Sequence, residues 1–283
     1  MVRQADGTGK ADGGVKPLSD PLSEAMQARA RDAVNMVREA LEKRQVMLAY
    51  QPVVQAARPD RPAFYEGLVR VLDSAGRVIP ARDFIDSVEQ DELGRRLDCL
   101  ALEMGLEALS SVPGLRLAIN MSARSIGYRP WLRVLERGLQ RDPTTAERLI
   151  LEITEKSAIT MPEVVQAFMG ELQSRGIAFA LDDFGAGYTA FRHLRDLYFD
   201  ILKIDGQFIR GIHANPDNQV LTRALISVAH HFDMVTIAES VESAHDATFL
   251  ADIGVDCMQG YHFGAPTLAP QWLEAAKKRA AAG

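Results

Sequence analysis

Short apolar runs recur along the chain, separated by longer segments with helical periodicity. The runs are rich in branched and aromatic residues, which is typical of buried β-strands. The segments between them, such as MPEVVQAFMGELQSRG and NQVLTRALISVAHHF, repeat apolar residues at the spacing of amphipathic helices. The eight runs are VMLAYQPVV (46–54), FYEGLVRV (64–71), LRLAINMS (115–122), LILEITE (149–155), IAFALDD (177–183), ILKID (201–205), MVTIAES (234–240) and VDCMQGY (255–261). Strands that alternate with helices in this way predict an α/β fold, a TIM-type (β/α)8 barrel.

The first connection is too short to join a parallel pair of strands. Only nine residues, Gln55 to Ala63, separate the first two runs, and two of these residues are prolines. A crossover between parallel strands needs about a dozen residues or more. We therefore predict that the first two strands are antiparallel, so that one strand of the barrel runs against the others.

The segment before the first run predicts a tail and a helix. Residues 1–18 are polar and glycine-rich, and we expect a disordered tail there. Residues 19–45 predict an N-terminal helix, because Ser19 or Asp20 can cap it and Pro21 suits its first position. This helix either lies across the barrel surface or pairs with another chain, such as an upstream sensory or partner protein. The barrel domain is then expected over 46–278.

Composition and charge narrow the class of protein. The chain has 283 residues, 47% of them apolar, and a formal net charge of −6. The acidic balance argues against binding a DNA or RNA polymer, which usually requires a basic surface. The two cysteines, Cys99 and Cys257, form no C-x-x-C pair, which favours a reduced, cytoplasmic setting. No apolar run approaches the roughly 20 residues of a membrane-spanning helix, so we expect no membrane segment.

Polar side chains interrupt or follow most of the predicted strands. They are Glu66, Asn120, Glu152, Glu155, Asp182, Asp183, Lys203, Asp205, Glu239 and Gln259. In a barrel such strand ends converge on one mouth, where active sites lie. Taken singly, these residues also fit structural roles: Glu152 could pair with a buried arginine, Lys203 could form a structural ion pair, and Asp205 more often caps a loop.

Taken together, these side chains predict a metal site. Crowded carboxylates repel one another, and a cation relieves that cost. Carboxylate and amide oxygens suit Mg²⁺ or Mn²⁺. The adjacent pair Asp182 and Asp183 can bridge two cations, an arrangement that suits in-line attack on a phosphodiester.

Eight ordered segments resemble the EAL domain, the bacterial cyclic di-GMP phosphodiesterase module. They are YQPVV, YEGLVR, LAINMS, LEITE, LDDFGAGY, LKID, AESVE and QGYHFG, within about 48–266. The resemblance implies an eight-stranded barrel with one reversed strand. It also implies metal-dependent hydrolysis of cyclic di-GMP to linear pGpG in bacterial second-messenger signalling. The alternative is a catalytically weak or inactive cyclic di-GMP receptor or scaffold.

The resemblance also implies a role for each matching residue. The implied metal ligands are Glu66, Asn120, Glu152, Asp182, Asp183 and Glu239, around two Mg²⁺ or Mn²⁺ ions. The implied catalytic residues are Lys203, which would orient the attacking water, Gln259 beside that water, Glu239 as candidate general base, and Glu155, which would steady the loop after Asp183. The implied substrate contacts are Gln51, Leu68, Arg70, Asp183 and Glu242. The family commonly dimerises near the Asp182–Gly187 loop, so a homodimer is expected.

Two positions depart from the family pattern. Gly67 replaces the alanine of the Glu-Ala-Leu signature, and Ala186 replaces a threonine that often follows the DDFG segment, where a lost hydroxyl could loosen the dimer loop slightly. Strand alternation puts Gly67 on the face opposite Glu66 and Arg70. We therefore expect a small void there, and a modest gain in stability from Gly67→Ala.

Overall fold

The computed structural model describes residues 21–186 and 192–282, and within them nine strands form one sheet. The strands are β1 (Val46–Gln55), β2 (Arg58–Leu72), β3 (Val78–Pro80), β4 (Leu117–Asn120), β5 (Leu149–Thr154), β6 (Ala178–Phe184), β7 (Ile201–Ile204), β8 (Val235–Ala238) and β9 (Cys257–Gln259). Their order is β3-β2-β4-β5-β6-β7-β8-β9-β1, and β1 also pairs with β2. The sheet thus closes into an eight-stranded barrel, with β3 added outside it.

The reversed strand is β1, which is antiparallel to both of its neighbours, β2 and β9. The other neighbouring strands of the barrel are parallel. This confirms the expected barrel with one reversed strand. The connection is shorter than predicted, because β2 begins at Arg58 and only Ala56 and Ala57 lie between the two strands. The polar start of β2 pairs through its backbone with β1, which an apolar pattern does not reveal.

Helices surround the barrel. They are α1 (Pro21–Glu42), α2 (Ile85–Val88), α3 (Glu92–Ser111), α4 (Arg129–Arg141), α5 (Glu155–Thr160), α6 (Pro162–Gln173), α7 (Arg192–Asp196), α8 (Gly206–Ile209), α9 (Pro216–His231), α10 (Ala244–Asp252) and α11 (Gln271–Ala282). Among the described residues, none of these helices has the length and apolar character that crossing a membrane requires.

The N-terminal helix α1 packs against the barrel domain through its second half only. Val37 and Leu41 are buried in a small cluster with Phe84, Val88 and Leu97. Residues 23–32 are exposed. The predicted tail over 1–18 lies outside the described residues.

The barrel interior has an apolar layer to which each of the eight barrel strands gives one residue. The layer consists of Val53, Phe64, Ala118, Ile150, Ala180, Ile201, Ile237 and Cys257. Two residues further along each parallel strand, on the same face, comes a polar residue. In the reversed strand β1 the polar residue comes two positions earlier, at Gln51. The apolar layer therefore forms the floor of a polar chamber.

The space beside Gly67 is filled, so the predicted void was wrong. A Cβ atom at Gly67 would lie 2.8 Å from Cδ1 of Ile119 on the neighbouring strand β4. A Cβ atom at Gly105 of α3 would lie 2.9 Å from the same methyl group. The Ile119 side chain thus occupies the room that the two glycines leave.

Candidate active site

Eight polar side chains form a ring directly above the apolar floor. They are Gln51, Glu66, Asn120, Glu152, Asp182, Lys203, Glu239 and Gln259, one from each barrel strand or from the residue after it. All eight were singled out from the sequence. They meet because the strands share one register relative to the floor: in the seven parallel strands a polar residue follows the floor residue by two positions, and in the reversed strand β1 it precedes the floor residue by two.

Lys203 lies at the centre of the ring and is 1% exposed. Its Nζ atom is 2.9 Å from Glu152 Oε2, 2.9 Å from Asp182 Oδ1 and 2.8 Å from Glu239 Oε1. Glu66 Oε2 is 3.5 Å away. One buried ammonium group therefore neutralises part of the charge of four carboxyl groups.

The Glu66 carboxylate is held by two amide donors. Asn120 Nδ2 donates to Glu66 Oε1 at 2.8 Å, and Gln259 Nε2 donates to Glu66 Oε2 at 2.6 Å. Gln259 Nε2 also lies 3.2 Å from Gln51 Oε1, and Gln51 Nε2 donates to the carbonyl of Gly264 at 3.0 Å. These contacts fix the orientation of the Glu66 side chain, which lies on the strand next to the reversed strand β1.

Burial and neighbouring charges shift several pKa values in the ring. Burial alone would raise the pKa of Glu66, but Lys203 and the amide donors Gln259 and Asn120 hold it below its usual value. Burial raises the pKa of Glu152 well above its usual value, and the charge of Glu66 raises it further. The pKa of Glu239 is also raised well above its usual value, first by burial.

The ammonium group of Lys203 is correspondingly stabilised. Burial would lower its pKa, but Asp182, Glu152 and Glu239 outweigh this effect and raise the pKa well above its usual value. Burial and the charge of Asp182 raise the pKa of Asp183 to about 6. The ring thus contains more acid groups than its single cation can hold in ionised form, and further positive charge would favour their ionised forms.

The geometry of the acidic groups suits a divalent cation. One oxygen each of Asp182, Asp183 and Glu239 lies within 4.8 Å of the others. Glu152 Oε1 and Asp182 Oδ1 are buried without an aligned hydrogen bond, although the latter contacts Lys203 Nζ. Buried oxygens of this kind are costly unless a partner such as a metal ion satisfies them. The donor set therefore fits Mg²⁺ or Mn²⁺.

Glu155 lies outside the ring and contacts the loop that follows β6. Its Oε2 atom accepts a hydrogen bond from the backbone N–H of Gly185 at 3.0 Å, and Gln207 Nε2 donates to the Gly185 carbonyl at 2.9 Å. Asp183 has a left-handed backbone with φ 55°. Two side chains therefore hold the turn after Asp183, while Gly187 at the end of the predicted loop lies outside the described residues.

A cavity of about 470 Å³ opens above one side of the ring. The predicted substrate contacts Gln51, Leu68, Arg70 and Glu242 line it, whereas Asp183 lies with the acidic cluster. Sequence reasoning missed four further polar lining residues, Arg82, Arg210, Ser240 and Tyr261. Most of them lie in loops after strands, and loop residues carry no periodic signal that would place them. Asp205 has a structural role: it accepts a hydrogen bond from the backbone N–H of Gln207 at 2.7 Å and caps α8.

Comparisons with known proteins agree with this geometry. A family model described as the EAL domain matches residues 34–266. PdeF of Escherichia coli (strain K12), named a cyclic di-GMP phosphodiesterase, is 30% identical over 248 residues, which are 85% of this chain and 33% of PdeF. PdeR of the same organism, which has the same designation, is 32% identical over 251 residues, 86% of this chain and 38% of PdeR. The chain thus spans about a third of the length of these relatives.

A solved structure shows the same barrel. The PaMucR phosphodiesterase in its c-di-GMP complex superposes with a TM-score of 0.73 at 27% sequence identity. The match covers 84% of this chain and 98% of that one. The similarity therefore extends over the whole barrel and is not confined to a few motifs.

Proposed function

This chain belongs to the EAL domain family, and on that premise we propose that it is a metal-dependent phosphodiesterase that hydrolyses cyclic di-GMP to linear pGpG. The observation that carries the proposal is the ring of acid and amide side chains around Lys203. Two relatives with the phosphodiesterase name and a structural neighbour in complex with cyclic di-GMP support it.

We propose that the ring and the residue beside it hold the metal. The proposed ligands are Glu66, Asn120, Glu152, Asp182, Asp183 and Glu239. When bound, such ions polarise the phosphoryl oxygens and lower the pKa of water, which is chemistry that the side chains alone do not supply.

The side chains of this chain would then have distinct tasks. Lys203 places its positively charged Nζ at the centre of the ring, where it can orient the attacking water and stabilise developing negative charge. Glu239 can accept a proton from that water at a carboxylate oxygen. Arg70 lies at the cavity and can bind a phosphate oxygen. The water oxygen bonds to phosphorus, the P–O3′ bond breaks, and the released 3′ oxygen takes up a proton.

An assay of the purified chain tests this proposal. Cyclic di-GMP is incubated with Mg²⁺ or Mn²⁺ and the products are separated by chromatography. We expect pGpG from the wild type and none from Glu66→Ala, which removes a buried carboxylate of the ring. Glu171→Ala, which removes an exposed carboxylate on α6, serves as the matched control and should retain full activity. Absence of pGpG at every metal concentration would contradict the proposal.

A further inference from the structure

Asn120 is the only amide among the proposed metal ligands, and its backbone is paired on one side only. It is the last residue of β4 and pairs with Glu152 of β5, whereas the pairing of β4 with β2 ends at Ile119. Its Nδ2 atom donates to Glu66 Oε1 at 2.8 Å, which leaves the amide oxygen as the atom that can bind a cation. The position of this oxygen therefore depends on the path of the chain directly after β4.

A carboxyl group from α3 holds the chain at that point. Asp98 Oδ2 accepts hydrogen bonds from the backbone N–H of Ser122 at 3.0 Å and from Ser125 Oγ at 2.6 Å. Ser122 is the N-cap of a short 3₁₀ turn, Ala123–Ser125, and Ser125 is the last residue of that turn. Asp98 therefore binds both ends of the first turn that follows Asn120.

Asp98 is itself fixed by the packing of α3 against the barrel. The neighbouring residues Ala101 and Leu102 are buried in the main core. Further along the helix, a Cβ atom at Gly105 would lie 2.9 Å from Ile119 Cδ1 of β4. The helix thus provides a rigid reference for the turn, and a hydrogen bond from a rigid element positions the backbone that it holds.

The two N–H groups after Asn120 have partners on opposite sides. The N–H of Met121 donates to the carbonyl of Glu152 at 2.9 Å, on the β5 side. The N–H of Ser122 donates to Asp98, on the α3 side. Without Asp98 the Ser122 N–H loses its partner, which is costly for a part-buried donor. The backbone at Asn120 would then be held from the β5 side alone, and its amide oxygen could move relative to the acidic groups.

We propose that Asp98 is a positioning residue of the metal site and that it acts through Asn120. It holds the turn that places the Asn120 oxygen beside the carboxylates, and it does not bind the ion itself. Residues that orient metal ligands through such contacts typically contribute about 10–100-fold to metal affinity or activity. The inference rests on the proposed function, since it takes Asn120 to be a metal ligand.

Binding of Mn²⁺ by the substrate-free chain tests this role, with free Mn²⁺ measured by electron paramagnetic resonance. We expect Asp98→Ala to raise the Kd for Mn²⁺ by about tenfold or more. Asp98→Asn keeps an acceptor for both hydrogen bonds and should bind Mn²⁺ nearly as tightly as the wild type. In an Asn120→Ala background, which has already lost the ligand, Asp98→Ala should have little further effect on the Kd.

Two further variants complete the comparison. Ser125→Ala removes one of the two hydrogen bonds to Asp98 and should raise the Kd by a smaller factor; it keeps the test decisive if Asp98→Ala does not fold. Gln90→Ala is the matched control. Gln90 is exposed, and its Oε1 atom accepts a hydrogen bond from Arg124 Nη1 of the same turn at 2.6 Å. Its loss should leave the Kd for Mn²⁺ at the wild-type value, because this contact does not hold the Ser122 N–H.

The outcomes separate this inference from the proposed function. If Asp98→Ala and Ser125→Ala lower the melting temperature in EDTA but leave the Kd unchanged, Asp98 is purely structural and the inference is overturned. Equal losses of affinity in Asp98→Ala and Asp98→Asn would point to charge instead of position, and additive losses with Asn120→Ala would exclude action through that ligand. If the wild type binds Mn²⁺ but forms no pGpG, the proposed function fails, and the same comparison still decides the role of Asp98. A wild type that binds no Mn²⁺ overturns both.

Discussion

Ile119 of β4 sets a size limit at Gly67, the residue beside the acidic ring. Because the Ile119 methyl group lies where a Cβ atom would have to be, Gly67→Ala forces either an off-rotamer isoleucine or a shift of β2. We expect the free energy of unfolding to fall by about 1–3 kcal/mol. Urea unfolding of the two proteins measures this change.

A second substitution, at Ile119, tests whether crowding causes the loss of stability expected for Gly67→Ala. Ile119→Val removes the crowded methyl group and alone should cost about 0.5–1.5 kcal/mol. In Gly67→Ala the same change should restore stability, because valine leaves room for the new Cβ atom. If the stability losses of the two single variants simply add in the double variant, crowding at Ile119 is not the reason that Gly67→Ala is destabilising. Turnover should stay within a few-fold throughout, since the added Cβ atom points away from Glu66.

At the scale of elements, the lengths of the connections were more informative about strand direction than the apolar content of the strands was. The short link before β2 predicted the reversed strand, because chain geometry alone excludes a parallel crossover. The polar start of β2 at Arg58 and the three-residue strand β3 were missed, since backbone pairing creates both. Seven of the ring residues could be predicted because each interrupts or ends an apolar run, whereas Gln51 was indicated only by the resemblance to the family. Arg210 could not be predicted, because its position depends on contacts between two loops.

The turn after β6 depends on a contact from α5. Glu155 accepts the Gly185 N–H, and Asp183 precedes that turn by two residues. Glu155→Ala leaves the N–H without its partner, and we expect the metal concentration for half-maximal turnover to rise about 10–100-fold. Glu155→Gln retains an acceptor and should behave closer to the wild type. Metal titrations of turnover compare the three proteins, and equal curves for wild type and Glu155→Ala would refute a role of this contact.

Helix α3 is tied to the loop after β4 by Asp98. The carboxylate accepts hydrogen bonds from Ser125 Oγ at 2.6 Å and the Ser122 N–H at 3.0 Å. Burial raises its pKa to about 7. The folded protein therefore holds a proton on Asp98 that the unfolded chain releases near pH 4. The contribution of Asp98 to stability should fall as pH rises from about 4 to about 7 and stay constant above that range.

Asp98→Asn provides the measurement for this pH dependence. Asparagine keeps an acceptor for both hydrogen bonds and cannot ionise. Urea unfolding should show that the free energy of unfolding of the variant increases relative to that of the wild type as pH rises from about 4 to about 7. Above about pH 7 the difference between the two proteins should be constant. A difference that does not change between pH 4 and 7 would mean that Asp98 ionises normally in the folded protein.

At the scale of the whole molecule, the ring exists only when the barrel closes. Its members lie between Gln51 and Gln259 in the sequence, and the pairing of β1 with β9 brings these two residues to 3.2 Å. An ion held by the ring would bind the folded chain and not the unfolded one, so metal affinity and global stability are coupled.

Metal binding should therefore raise the melting temperature of the whole barrel. At about 100 times its dissociation constant, a ligand of the folded state adds about 2.7 kcal/mol, which corresponds to about 5–10 °C for a domain of this size. Thermal unfolding followed by circular dichroism in EDTA and in Mg²⁺ or Mn²⁺ measures the shift. Asp182→Asn should lose most of it. In EDTA this variant should melt at or above the wild-type temperature, because it removes one of the crowded acid groups around Lys203. An equal metal-induced shift in both proteins would place the stabilising ion outside the ring.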